Sequence, residues 1–109
     1  MQQREKSILC WSEHGHLSVL HHGLAYAFTF KSIELLLAPD EIDAFKNSLD
    51  GIREQEWFLS PEGPFTFFSI GRLNASFYLN RAEVIEMTAL LQEASAMVKV
   101  HQRLFNRVR

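Results

Sequence analysis

Four of the five histidines and the only cysteine of this chain fall in one stretch, CWSEHGHLSVLHHG, from Cys10 to Gly23. Imidazole and thiolate are the donors that zinc prefers, and a tetrahedral site needs three or four of them converging on one point. The spacing here is C-x3-H-x-H-x4-H-H, which matches no zinc-finger pattern of paired ligands on tight turns or one helix face. Strand geometry narrows the set. If residues 16–22 are extended, His21 points away from His16 and His22. The latter two lie about 20 Å apart, too far to share an ion. Cys10, His14 and His16, gathered at the turn end of a hairpin, remain as a zinc-type ligand set. Against it stands the plainer reading, a hairpin whose histidines are solvated or satisfied by neighbours.

The same residues suggest a nucleophile, Cys10, with His14 or His16 as its base. A reactive thiol needs a lowered pKa, from a helix N-terminus or a nearby cation. Cys10 sits between Leu9 and Trp11 in a strand-like run and reads instead as a small buried apolar residue. No catalytic residue is assigned. Among the carboxylates, Glu34 stands alone between apolar strand positions and should face solvent or mark an edge. Asp40-Glu41 and Glu83-Glu86 are explained by helix starts. The sequence has no phosphate-binding glycine loop, no HExxH and no GxSxG.

These residues must be positioned by a chain of 109 residues, the size of one domain. Apolar residues make up 47% and charged residues 22%, ordinary for a globular protein, and nine phenylalanines promise an aromatic core. The net charge of −2 gives no general attraction to nucleic acid or to an anionic membrane. One cysteine allows no internal disulfide and fits a reducing compartment. The first eleven residues lack the apolar core of a signal peptide, and no apolar run is long enough to span a membrane. We therefore expect a cytoplasmic protein.

Short alternating segments predict strands at 7–11, 16–22, 24–30, 33–37, 65–70 and 73–79, with 57–59 a short candidate strand beside them. Turn chemistry separates them: Gly15, able to take positive φ, then a bend at Gly23, a tight connection at Lys31-Ser32, SPEGP, and Gly71-Arg72. Leu24, Tyr26, Phe28 and Phe30 share one face, as do Leu73, Ala75, Phe77 and Leu79. Pro39 suits the first helical position, and Ile42, Phe45, Leu49 and Ile52 recur at helical spacing. Asn80 and Glu83 have capping-box spacing at the start of a second helix. Val84, Met87 and Leu91 match Ile42, Phe45 and Leu49 at an offset of 42 residues, a weak internal repeat of residues 24–55 in 64–95. The prediction is an α+β two-layer domain, with an antiparallel sheet of about five to six strands on two helices in the order ββ-ββα-ββα.

The second helix carries a heptad-like seam: Val84, Met87, Leu91, Ala94, Val98, His101, Phe105 and Val108. Running to the last residue, it would be about 43 Å long, against a core about 27 Å across. The extension over 96–109 should overhang. Val98, His101, Leu104, Phe105 and Val108 are therefore the candidate partner-binding residues, and a second copy of the chain is the simplest partner. A helix that bends back near Ser95 is the alternative. Lys99, Arg103, Arg107 and Arg109 complement the helix dipole; without an interleaved stacking platform they do not make a nucleic-acid surface. Trp11, Tyr26, Trp57, Phe65, Phe67 and Phe68 exceed what one sheet face can hide. Adjacent Phe67 and Phe68 must point to opposite sides, which leaves one for a subunit contact or ligand groove.

The run HHGLAYAFTFKSIELLLAPDEIDAFKNSL resembles a motif of small proteins of Bacteroidetes-type bacteria. In these, a His/Cys-Gly segment leads into a strand pair and then a proline/serine-acidic helix start. The resemblance covers most of the chain after residue 10. It implies this fold and a bacterial cytosolic origin, and no activity, because the family has none assigned. Some members carry cysteines where this chain has His21-His22, which weakens any shared thiolate metal site. The expected function is a non-enzymatic homodimeric domain acting through protein contacts or an unidentified small ligand, with no cofactor. The alternatives are a zinc-type module on Cys10, His14 and His16, and a small enzyme with its site in a dimer cleft.

Overall fold

The computed structural model describes residues 7–20, 23–52, 57–70 and 75–108, without the side chains of 70, 75 and 105–108. His21, His22, Gly71, Arg72, Leu73 and Arg109 lie outside the described residues. The elements in order are β1 (Ser7–Trp11), β2 (Gly15–Leu20), β3 (Ala25–Phe30), β4 (Ile33–Leu37), α1 (Pro39–Asp50), β5 (Phe58–Ser60), β6 (Gly63–Ile70), β7 (Ala75–Asn80) and α2 (Arg81–Val108). The fold is α+β with a long C-terminal helix, as the sequence predicts. Among the described residues the strands number seven and form two antiparallel sheets, β1-β2-β3-β4 and β5-β6-β7, where the sequence suggested one. Alternation along a strand says which face is buried; it does not say which sheet the strand joins.

In the four-stranded sheet, Cys10, Leu17, Phe28 and Leu35 stand opposite one another across the strands, and all four are buried. The row on the other face is Ile8, Ser18, Ala27 and Leu36. Ile8 and Leu36 are exposed, while the small Ser18 and Ala27 between them are buried. A bulge in β1 between Ile8 and Cys10 lets Ile8 and Trp11, three residues apart, both face outward.

Gly15 departs from the reading of its local sequence, and Gly23 bends the chain as read but shifts the strand that follows. Gly15 does not have positive φ. A Cβ there would lie 2.5 Å from the Thr29 carbonyl oxygen and 2.8 Å from the Phe30 ring, so close strand packing is what demands glycine. Gly23 does have positive φ, at 94°. It ends the alternation, so Leu24 is 72% exposed instead of joining Tyr26, Phe28 and Phe30 on the inner face. The β3–β4 turn places Lys31 at φ 58°, where a non-glycine residue is uncommon.

Helix α1 opens on Pro39, and the Glu41 carboxylate accepts the Ala38 N–H at 2.8 Å. Helix α2 opens with the reciprocal box. Glu83 N–H donates to Asn80 Oδ1 at 2.8 Å, and Asn80 N–H donates to Glu83 Oε1 at 2.9 Å. It then runs unbroken for 28 residues, about 42 Å. Ile42, Phe45 and Leu49 of α1 and Met87, Leu90, Leu91, Ala94 and Val98 of α2 are buried. Phe45 joins the two sheets. Its ring meets Phe28 edge-on at 5.2 Å and stacks on Phe68 at 5.3 Å and on Phe77 at 6.3 Å. Phe30 and Phe77 close the seam at 6.4 Å. The excess phenylalanine thus makes one core from two sheets.

Candidate functional site

The β1–β2 turn separates the three residues read as metal ligands. Cys10 points inward and is 2% exposed. Burial, aided by the charge of Glu93, pushes its thiol up to about 11, the opposite of an activated thiolate. His16 stands on the outer face between Trp11 and Thr29. His14 turns toward α2. The three donors do not converge, and among the described residues no group of three or more His, Cys, Asp or Glu side chains is placed to hold a metal ion.

His14 instead meets a residue that sequence reasoning had assigned only to a helix start. Its Nδ1 lies 2.7 Å from Glu86 Oε1, and its backbone N–H donates to Glu86 Oε2 at 2.7 Å. The Ser12 hydroxyl donates to the same Oε2 at 2.6 Å. One turn earlier, Glu83 takes the Lys31 ammonium at 2.7 Å. The Lys31 N–H in turn donates to the His14 carbonyl at 2.8 Å. Two carboxylates of α2 thus hold the turn ends of both hairpins. A carboxylate that fixes an imidazole through Nδ1 is half of a general-base arrangement. The other half is missing, because no hydroxyl or thiol pairs with His14 Nε2 among the described residues. Nε2 lies 3.7 Å from Glu13, beside an open depression of about 570 Å³ that Trp11, His16 and Thr29 also line.

The residues read as a partner seam on α2 divide. Val98 is buried in the chain's own core. His101 lies with Nδ1 3.0 Å from the Tyr26 hydroxyl. Gln102, absent from the sequence argument, donates to the Tyr26 hydroxyl at 2.9 Å and to the Gly23 carbonyl at 2.8 Å. The polar interruption of the seam therefore satisfies a fully buried tyrosine. Leu104 is 56% exposed. The side chains of Phe105 and Val108 lie outside the described residues.

The exposed aromatics gather elsewhere. Phe68 and Phe77 face the core, so Phe67 and its cross-strand partner Tyr78 face away from it. Phe58 and Phe65, paired across β5 and β6, share that outer face. The four rings form one cluster, with Phe65 4.7 Å from Tyr78, 5.5 Å from Phe67 and 5.6 Å from Phe58. Phe58, Phe67 and Tyr78 are each half-exposed. The apolar face ends in polar groups, with Ser69 and Ser76 joined hydroxyl to hydroxyl at 2.8 Å on one side and Asn80 opposite Phe65 on the other.

Among the described residues no helix is long and apolar enough to cross a membrane. No family model, curated protein or solved structure matches the chain.

Proposed function

We propose that the chain is a non-enzymatic interaction domain that pairs with a second copy of itself through the outer face of the three-stranded sheet. The carrying observation is the contiguous cluster of Phe58, Phe65, Phe67 and Tyr78 on the outer sheet face, where three of the four rings are half-exposed among the described residues. Rings half out of water at this size offer roughly 350 Å² of apolar surface per copy. That suits the apolar centre of an interface whose partners each contribute about 800 Å², with Ser69, Ser76 and Asn80 as its polar rim. The rings are tilted against one another, by 90° for Phe65 and Phe67 and by 47° for Phe65 and Tyr78. Such a surface interdigitates with another side-chain layer better than it stacks a flat base or sugar. Symmetric homodimers are the commonest soluble oligomers, and their interfaces bring the same patch from both subunits. The chemistry of the other sites favours binding over catalysis: the Cys10 thiol is suppressed and His14 is engaged by Glu86.

Light scattering after size exclusion tests this. The wild-type chain should run at twice its 12.6 kDa mass, Phe67→Glu should run as a monomer, and Leu104→Glu should stay dimeric. A monomeric wild type at high micromolar concentration would overturn the reading. So would a Phe67→Glu dimer alongside a Leu104→Glu monomer, which would return the contact to the C-terminal helix.

A further inference from the structure

A groove of about 480 Å³ runs between α1 and α2, away from the aromatic face. Its size falls within the range of small-molecule sites. Its walls carry opposite charges. Asp40 and Asp43, three residues apart, share one face of α1; Lys99 and Arg103, four apart, share one face of α2. Pro39 and Val98 supply apolar lining between them. Ser95, 7% exposed, is fixed at the contact of the two helices. Its hydroxyl donates to Asp43 Oδ1 at 2.5 Å and accepts from Lys99 Nζ at 3.3 Å.

We propose that this groove binds a free α-amino acid with an aliphatic side chain. The ammonium group goes to Asp40 and Asp43, and the carboxylate goes to Arg103 and Lys99. The side chain lies on Pro39 and the methylene stems of the two basic residues, above the buried Val98 at the groove floor. A ligand with only negative charge meets two carboxylates here, and one with only positive charge meets two cations. An α-amino acid carries both charges on a single carbon and answers both walls at once. The groups already present do not block it. Lys99 and Asp43 Oδ2 lie 3.8 Å apart with side chains 62% and 47% exposed, and ion pairs so exposed are weak, so Lys99 can turn to a ligand at little cost, while Asp43 keeps the Ser95 hydroxyl on Oδ1 and offers Oδ2.

The test uses the full chain and calorimetric titration. L-leucine should bind saturably. Isocaproate, which lacks the ammonium, and isoamylamine, which lacks the carboxylate, should bind weaker by roughly tenfold or more, the loss of a charge-assisted contact. Asp40→Asn and Arg103→Gln are exposed changes that should weaken leucine by a similar factor while leaving the melting temperature in place. Phe67→Glu should bind leucine as the wild type does, which keeps this site separate from the proposed dimer contact. The proposal fails if leucine gives no saturable heat up to about 10 mM, a limit near −3 kcal/mol. It fails equally if either half-charged analogue matches leucine, or if Arg103→Gln leaves leucine binding unchanged.

Discussion

His14 and Glu86, 72 residues apart in the chain, meet through both the imidazole and the backbone of the histidine. The contact fixes the β1–β2 turn onto the second turn of α2 and shifts the pKa of both partners. The Glu86 hydrogen bond raises the His14 pKa, with the charges of Glu86, Glu13 and Glu83 adding to it and burial opposing. Burial alone would push Glu86 up, but hydrogen bonds from Ser12 and His14 hold it below its ordinary value.

The sign of the pH dependence follows. A histidine whose folded pKa is raised contributes stability below its unfolded value, about 6.5, and loses it as pH rises through the folded value. A carboxylate whose folded pKa is lowered contributes above about 4.3 and loses it as pH falls through the folded value. The latch is therefore strongest from about pH 4.5 to 6.5 and weakens above. The difference in melting temperature between wild type and His14→Gln should shrink as pH is raised from about 6 to 9. A constant difference across that range would show that the pair does not titrate with folding.

Cys10 gives a second expectation. A thiol buried at 2% exposure with its pKa near 11 is protonated and shielded at neutral pH. Native protein should alkylate with iodoacetamide at the rate of global unfolding, and urea should restore ordinary reactivity. Rapid native labelling would place Cys10 at the surface.

Glycine substitutions separate crowding from backbone freedom. Gly15→Ala drives a methyl group into the Thr29 carbonyl and the Phe30 ring and should cost about 2–3 kcal/mol in urea unfolding. Gly51 ends α1 at φ −87°, and the nearest atom to an added Cβ is 3.5 Å away. Gly51→Ala should be neutral or stabilise by about 0.5 kcal/mol. Equal effects at the two positions would contradict this packing.

Phe45 bridges the sheets, so its loss should be felt in both. Phe45→Ala removes a ring that touches Phe28, Phe68 and Phe77 and should cost about 3–5 kcal/mol. Amide exchange in β3 and β6 should accelerate together. Protection lost in one sheet alone would mean that the two have separate cores.

The sequence shows what is local. The alternation around Phe67 and Phe68 correctly placed one ring inside and one outside. The spacing of Asn80 and Glu83 announced a capping box that is present in full. What it hid depends on partners distant in the chain. Glu86 looked like a helix-start carboxylate because nothing near it shows that Ser12 and His14 fold against it. His101 looked like part of an outward seam, and Gln102 drew no reading at all, because Tyr26, their partner, lies 75 and 76 residues earlier. Leu24 was misplaced for a local reason, since Gly23 resets the strand phase without changing the residue pattern.

The placement of Glu83 and Glu86 also orders events during synthesis. All of the four-stranded sheet leaves the ribosome well before the helix that clasps it, with Glu86 74 residues after Ser12. Until α2 emerges, Leu17, Phe28 and Leu35 have no helical layer from Met87, Leu90 and Leu91, and the hairpin turns lack their carboxylates. A nascent chain halted after β7 should be open to protease and to chaperones, and emergence of α2 should end that exposure in one step.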